Sequence, residues 1–306
     1  MAKDLATTKA KNLKLKKSSG PIEQFSIGKV FIHIVLLLWA STTVFPLIWV
    51  MNNSFKLKET ILVDSFSLVK EPVLANYITA FGRMKIGTAY MNSLIISGSV
   101  VLGVMLFGGL ASYILARYNF KGKIVVHSMV MAALLFPAFA TIVPVFTMLY
   151  NAGLMNTHIG VILPQIAGNM AFAIIIMVGF MSTIPMELEE AAVVEGCGAW
   201  QIFWKIVVPI SKPSFATVAI FTFLWSYNDL FLQKIIIRKT QVRPICALLD
   251  TIKSQYGTDY GLMCASVILV VVPVLIVYLF LQKYIIKGLT AGATFLSLKR
   301  REENYD

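Results

Sequence analysis

Residues 263–281 read M-C-A-S-V-I-L-V-V-V-P-V-L-I-V-Y-L-F-L, nineteen residues without a charged side chain. A helix that crosses the hydrocarbon core of a bilayer needs about 20 such residues. The run predicts a membrane span over approximately 263–286, and the whole chain agrees with it. Of 306 residues, 58% are hydrophobic and only 14% charged, with a mean hydropathy of +0.77. In an ordinary soluble domain about a quarter of the residues carry charge. A water-soluble fold of this composition would expose apolar patches large enough to drive aggregation. The fold class is therefore all-α and polytopic.

Working outward, five further stretches satisfy the same length rule, approximately 30–51, 88–115, 124–150, 160–182 and 213–232. Asn92, Ser93, Ser97 and Ser99 dilute the second, and Asn228 and Asp229 sit late in the fifth. Six spans place both termini on one side. Lys and Arg number 17 on the side of the termini and 10 on the other, so the termini are expected in the cytoplasm. The organisation read from this is a basic cytoplasmic tail (1–29), a six-span domain (30–287, with its core at 75–287) and a cytoplasmic C-terminal tail (288–306). The Lys-rich tail is expected to stay attached, because the apolar run behind it is too long for a cleaved leader.

Several function classes fall away. The net charge of +12 flanks apolar runs, as membrane orientation requires, so nucleic acid is not expected as a partner. Cys197, Cys246 and Cys264 lie far apart, and the three His are isolated from them, which supports neither a disulfide framework nor a metal site. No G-x-x-x-x-G-K-[ST] phosphate loop occurs. No catalytic residue, metal or cofactor is expected, and ATP-driven work would need a separate ATP-hydrolysing subunit.

One stretch does not belong inside a membrane. Residues 182–213 read S-T-I-P-M-E-L-E-E-A-A-V-V-E-G-C-G-A-W-Q-I-F-W-K-I-V-V-P-I-S-K-P. Glu187, Glu189, Glu190 and Glu195 break the basic trend of the cytoplasmic side. Pro185 and the acids suit a helix start, where the positive dipole end favours them, and Gly196 and Gly198 allow a sharp break. Trp200, Phe203, Trp204 and Val207 then recur at helical spacing. Two short helices around a glycine turn are predicted. An amphipathic helix resting on lipid is the alternative, and the acidic first half favours a protein partner.

In these residues the chain resembles a known family. Glu190-Ala191-Ala192, three residues, Gly196, nine residues and Ile206-x-Val208-Pro209 resemble the EAA loop of the membrane subunits of prokaryotic ABC importers. The resemblance extends to the carbohydrate-uptake branch, and to its MalG-like subunits. It is carried by Asn92-Ser93-Leu94, Ala111-Ser112-Tyr113 with Ala116-Arg117, Gly153-Leu154 with Asn156-Thr157, Tyr256-Gly257-Thr258-Asp259, Gln282-Lys283-Tyr284 and Gly288-Leu289-Thr290-Ala291-Gly292-Ala293. The chain has Val208 for Leu, Tyr227-Asn228-Asp229 where the family often has Trp-Asn, and Thr294-Phe295 where it often has Lys-Gly.

The resemblance implies a permease subunit in the prokaryotic plasma (inner) membrane. Its partners would be a second six-span, MalF-like permease, two cytoplasmic ATP-binding subunits and an extracytoplasmic solute-binding protein. Its substrate would be a sugar, oligosaccharide or related polyol, moved by alternating access. Residues 183–212 would be the coupling element, with Glu190 as charge anchor, Ala191 and Ala192 allowing close approach, Gly196 setting the angle, Trp200, Phe203 and Ile206 as an apolar wedge, and Pro209 marking the end. For the substrate path the candidates are Tyr227, Asn228 and Asp229. Asp229 can also be read as an acid at the outer end of its span, solvated or paired with Arg238 or Lys239. Tyr113, Phe146 and Tyr150 are read as packing or interface aromatics. The reading from another class, an ion-coupled secondary transporter, would need ionisable relay groups at mid-membrane, and the span interiors are nearly free of them.

Overall fold

The computed structural model describes residues 27–83, 85–248 and 259–302. Among them the elements are helices and no strand occurs. In chain order they are α1 (Ile27–Ser54), α2 (Lys58–Val63), α3 (Ala75–Arg83), α4 (Ile86–Arg117), α5 (Lys123–Ala133), α6 (Ile142–Asn151), α7 (His158–Met181), α8 (Glu187–Val194), α9 (Ala199–Ile210), α10 (Lys212–Asn228), α11 (Leu230–Ile236) and α12 (Tyr260–Glu302). Most of the basic tail and the Tyr256-Gly257-Thr258 part of its motif lie outside the described residues.

The chain falls into two compact units, residues 1–49 and 50–306. In the first, α1 satisfies its own polar side chains. The Ser41, Thr42 and Thr43 hydroxyls donate to carbonyls three or four residues earlier, and the His33 ring lies 2.6 Å from the Lys29 carbonyl. Such back-bonding removes the cost of carrying hydroxyls through an apolar medium.

The second unit is built around α4, α7 and α10, which pack on one another. Val100, Val104, Val161, Ala173, Met177 and Val218 form the centre of its core. Small residues let the helices approach: a Cβ on Gly103 would stand 2.4 Å from Ile166 of α7. Directly after Gly103, α4 passes through a π-helical turn, Val104–Gly108, before running on as Gly109–Arg117.

The spans differ from expectation in two places. The stretch 124–150 is not one helix: α5 ends at Ala133, and α6 begins only after an extended Pro137 and a 3₁₀ turn at Ala138–Thr141. Pro137 has no N–H to give and crowds the preceding turn, which breaks the ladder there. The stretch 213–232 ends at Asn228, and α9 and α10 meet at a bend of 78°. By length and apolarity the described residues hold four helices able to cross a membrane, or five if the bent pair counts as one. The sixth expected span is the broken α5–α6 stretch. At the other extreme, α12 runs without interruption past residue 287 to Glu302.

Candidate functional site

The acidic segment folds as two short helices around a turn. α8 places Glu187, Glu189 and Glu190 in its first turn, where the exposed N–H groups favour negative charge. Gly196 then takes φ +85°, a conformation in which a side chain would meet its own backbone. At the start of α9 the Gln201 side chain accepts from the Gly198 N–H, the N3-to-N-cap half of a capping box. Within α9, residues Phe203–Val207 form a second π-helical turn.

Side-chain placement divides the segment into an inner and an outer set. Glu189, Ala192, Ile202, Phe203 and Val207 are buried. Glu187, Glu190, Ala191, Glu195, Gly196, Trp200, Trp204 and Pro209 are exposed, and Ile206 is partly buried against the core. Phe203, read from the sequence as part of an outer wedge, is only 2% exposed and sits against Tyr113 with ring centroids 5.3 Å apart. It therefore anchors the element to the chain and presents nothing outward, and the same holds for Ala192. Of the predicted wedge, Trp200 remains on the outside, joined by Trp204 with ring centroids 5.8 Å apart.

The inner set is held by a charge. Glu189 Oε1 lies 2.5 Å from Arg117 Nε, with both side chains no more than 7% exposed. The Tyr113 hydroxyl donates to Glu189 Oε2 at 3.1 Å, and Arg117 Nη2 donates to the Ile184 carbonyl at 2.9 Å. Tyr113 and Arg117 belong to the Ala111-Ser112-Tyr113 and Ala116-Arg117 motif; Tyr113, expected from the sequence to pack, also bonds a buried carboxylate, and Arg117 is its companion there. The pairing had one sequence signal, an Arg four residues after a Tyr at the end of a span.

At the other end of α4, a different set of polar residues fastens the 236–246 segment. Asn92 Nδ2 donates to the Gln241 and Arg243 carbonyls at 2.9 and 3.1 Å, and the Ser93 hydroxyl accepts from Ile245 N at 2.8 Å. Asn156, at φ +60°, accepts from Arg238 N and Lys239 N at 2.7 and 2.9 Å. The two asparagine motifs thus bind backbone in opposite senses, Asn92 through its amide N–H groups and Asn156 through its amide oxygen.

The substrate-path candidates do not share a face. Tyr227 is buried, and its carbonyl faces the Cys246 thiol at 3.1 Å; Asn228 is exposed and bonds back to the Leu224 carbonyl. Asp229 caps α11 by accepting from Leu232 N at 3.1 Å and takes a second bond from Gln165 Nε2 at 2.9 Å. Gln165 in turn accepts from Ser226 Oγ at 2.6 Å. The carboxylate is occupied by these two donors, and not by Arg238 or Lys239. If capping is its role, Asp229→Asn should lose only about 1–2 kcal/mol, since one oxygen still caps α11 while an amide N–H replaces the acceptor for Gln165 Nε2. Asp229→Ala should lose about 2–4 kcal/mol, a cap plus an unpaired Gln165. Thermal unfolding of the purified complex checks both, and equal losses in the two variants would refute the capping role.

The family described as "Binding-protein-dependent transport system inner membrane component" matches residues 105–291. Similar proteins include the diacetylchitobiose uptake system permease protein NgcG of Streptomyces coelicolor, 35% identical over 263 residues, 85% of this chain and 87% of that protein. The arabinooligosaccharides transport system permease protein AraQ of Halalkalibacterium halodurans is 30% identical over 284 residues, 91% of this chain and 99% of that protein. Among solved structures, a bacterial ABC transporter involved in the import of the acidic polysaccharide alginate matches with a TM-score of 0.69. The match covers 84% of this chain and 96% of that one at 22% identity, a likeness of fold. A bacterial alginate ABC transporter in complex with an alginate pentasaccharide-bound periplasmic protein matches with a TM-score of 0.59 at 19% identity, over 82% and 91% of the two chains.

Proposed function

The chain belongs to the inner membrane components of binding-protein-dependent transport systems, as a permease of the carbohydrate-uptake ABC importers, and from that premise we propose how its parts divide the work. Residues 183–212 are the coupling element, and they dock on a separate ATP-hydrolysing subunit. The other end of the bundle, where the Asn92 and Asn156 motifs fasten residues 236–246, faces an extracytoplasmic solute-binding protein. A second, MalF-like six-span permease and two ATP-binding subunits complete the complex. Both termini are cytoplasmic, and the divisions at 1–29, 30–287 and 288–306 follow from that topology. The cargo is a sugar, oligosaccharide or related polyol, as the names of the relatives suggest, and it moves by alternating access. Such cycling requires that ATP favour one state of the bundle over the other by differential binding.

The observation that carries the coupling role is the outer edge of α8 and α9. Val193, Val194, Trp200 and Trp204 are exposed, from 42% at Trp204 to 89% at Val194, and they lie among the exposed carboxylates of Glu187, Glu190 and Glu195. A helix that merely rests on a membrane places cations beside its apolar face, because the cytoplasmic leaflet is anionic. Acids there are repelled by lipid and suit a basic groove on a protein.

Glu190 is the anchor in this reading, paired with a cation of the ATPase subunit. A charge-assisted hydrogen bond contributes about 1.5–3 kcal/mol. Glu190→Gln should therefore reduce binding-protein-stimulated ATP hydrolysis roughly tenfold or more. The measurement uses the whole complex in liposomes, with the binding protein equilibrated with a mixed starch and chitin hydrolysate. Stimulation equal to wild type would overturn the assignment of Glu190. Uptake that ignores ATP and collapses with an ion gradient would return the chain to the secondary-transporter class.

A further inference from the structure

The coupling element is covalently continuous with two helices only, α7 through residues 182–186 and α10 through Ser211. α4 ends 70 residues earlier in the chain, yet one face of its last two turns is fastened to the same element. Gly109, Tyr113 and Arg117 recur at i, i+4 and i+8, one stripe of the helix. Together they meet three parts of the segment, at Phe203, Glu189 and Ile184. A Cβ on Gly109 would lie 3.6 Å from the Phe203 ring and 3.0 Å from Phe215 of α10. Tyr113 stacks obliquely on Phe203 and donates to Glu189. Arg117 pairs with Glu189 and holds the Ile184 carbonyl in the link to α7.

From this stripe we infer that Gly109, Tyr113 and Arg117 with Glu189 and Phe203 form a closed joint that carries α4 along with the coupling element. A displacement imposed on α8 by the ATPase subunit then reaches α4 as directly as it reaches α7 and α10. Arg117 and Glu189 are positioning residues here: they touch neither substrate nor nucleotide. The ion pair suits a joint because both partners are buried and further hydrogen-bonded, so opening it would strand two charges away from water. Its guanidinium reaches two groups at once, Nε against the carboxylate as an ion pair and Nη2 donating to the Ile184 carbonyl, so it ties α8 and the link to α7 to the same helix end. Just above the joint, the π-helical turn at Val104–Gly108 gives α4 a place to bend. The fold distinguishes two neighbouring acids: Glu189 is buried and paired, and Glu190 is exposed.

The inference rests on the coupling role proposed above, and its test separates the two. Arg117→Cys with Glu189→Cys, in the complex in liposomes with its native cysteines, Cys197, Cys246 and Cys264 among them, replaced by Ala, removes the ion pair, and a short bis-methanethiosulfonate linker restores a connection that reductant can sever. Stimulated ATP hydrolysis is read with the same hydrolysate-equilibrated binding protein. The unlinked complex should lose stimulation roughly tenfold, the scale of a broken coupling path; linking should restore it and reduction abolish it again. Stimulation at the wild-type level in the unlinked complex would overturn the joint. So would a linked complex that stays assembled but unstimulated, since the joint would then have to open. If the double variant fails to assemble, Glu189→Gln carries the test, because it keeps the shape and an acceptor for Tyr113. A roughly tenfold fall in the assembled complex supports the joint, and wild-type stimulation refutes it. Glu190→Gln run in parallel distinguishes the failures: an effect at Glu190 alone leaves the coupling role standing without the joint, and no effect at any of these positions removes both.

Discussion

Arg117→Met should destabilise the folded chain by about 3–5 kcal/mol, because it leaves the Glu189 carboxylate buried with the Tyr113 hydroxyl as its remaining partner. Methionine fills much of the volume of the arginine stem, so the loss is one of charge compensation and not of packing. The same argument fixes the sign of two companion variants. Arg117→Lys keeps a cation but not the fork, and gives up the bond to the Ile184 carbonyl; it should fall between wild type and Arg117→Met. Arg117→Met combined with Glu189→Met removes both charges and should recover most of the loss, since an apolar pair of similar size often replaces a buried ion pair at no cost. Denaturant titration of the purified chain in detergent measures all three. A single-variant loss under about 1 kcal/mol, the scale of a solvent-screened pair, would show that the ion pair is not buried in the folded protein.

The second large effect is expected at Gly160, in the first turn of α7. A Cβ there would stand 2.3 Å from the Leu154 carbonyl oxygen, and backbone cannot swing aside as a side-chain end can. That carbonyl also accepts from the Thr157 hydroxyl at 2.7 Å, and the same hydroxyl caps α7 by accepting from Gly160 N at 3.1 Å. Gly160→Ala therefore displaces the turn and its cap together, at about 2–4 kcal/mol for the overpacking and the lost cap. Gly168, two turns further along the same helix, has nothing within 4 Å of the same atom. There alanine should be neutral or stabilising by up to about 1 kcal/mol, through reduced chain entropy. Melting temperatures of the two variants in detergent should move in opposite directions or differ by several degrees. Equal shifts would mean that α7 starts differently.

The reading of the sequence was strongest where a property is carried by many residues at once. Apolar length located α1, α4, α7 and α12, and the glycine between an acidic and an aromatic half placed the turn at Gly196. It was weakest where one residue decides. Pro137 is a single residue inside a long apolar run, and its cost to the helix outweighs the apolarity of its neighbours. Glu189 and Glu190 are both acids in the same helical turn, pointing about 100° apart. Only the arrival of Arg117 from a distant part of the chain selects which of them faces inward. Phe203 and Trp200 belong to one stripe by spacing, but Phe203 is buried against Tyr113 and Trp200 is exposed, a division set by a helix from elsewhere in the chain. Asp229 was conspicuous as an intramembrane acid, and its partners, Gln165 and the Leu232 N–H, come from another helix and from backbone that spacing does not reveal.

The fastening of residues 236–246 also has a consequence for biosynthesis. Asn92 and Ser93 leave the ribosome about 150 residues before the backbone groups they bind, and Asn156 about 80 before its own. During that interval the Asn92 amide oxygen can meet His158, 66 residues on, but its N–H groups, the Ser93 hydroxyl and the Asn156 oxygen lack these partners, so this end of the bundle cannot close until residues 236–246 have been made. A nascent chain stalled before residue 236 would carry these unsatisfied groups in or beside the bilayer, where they are costly.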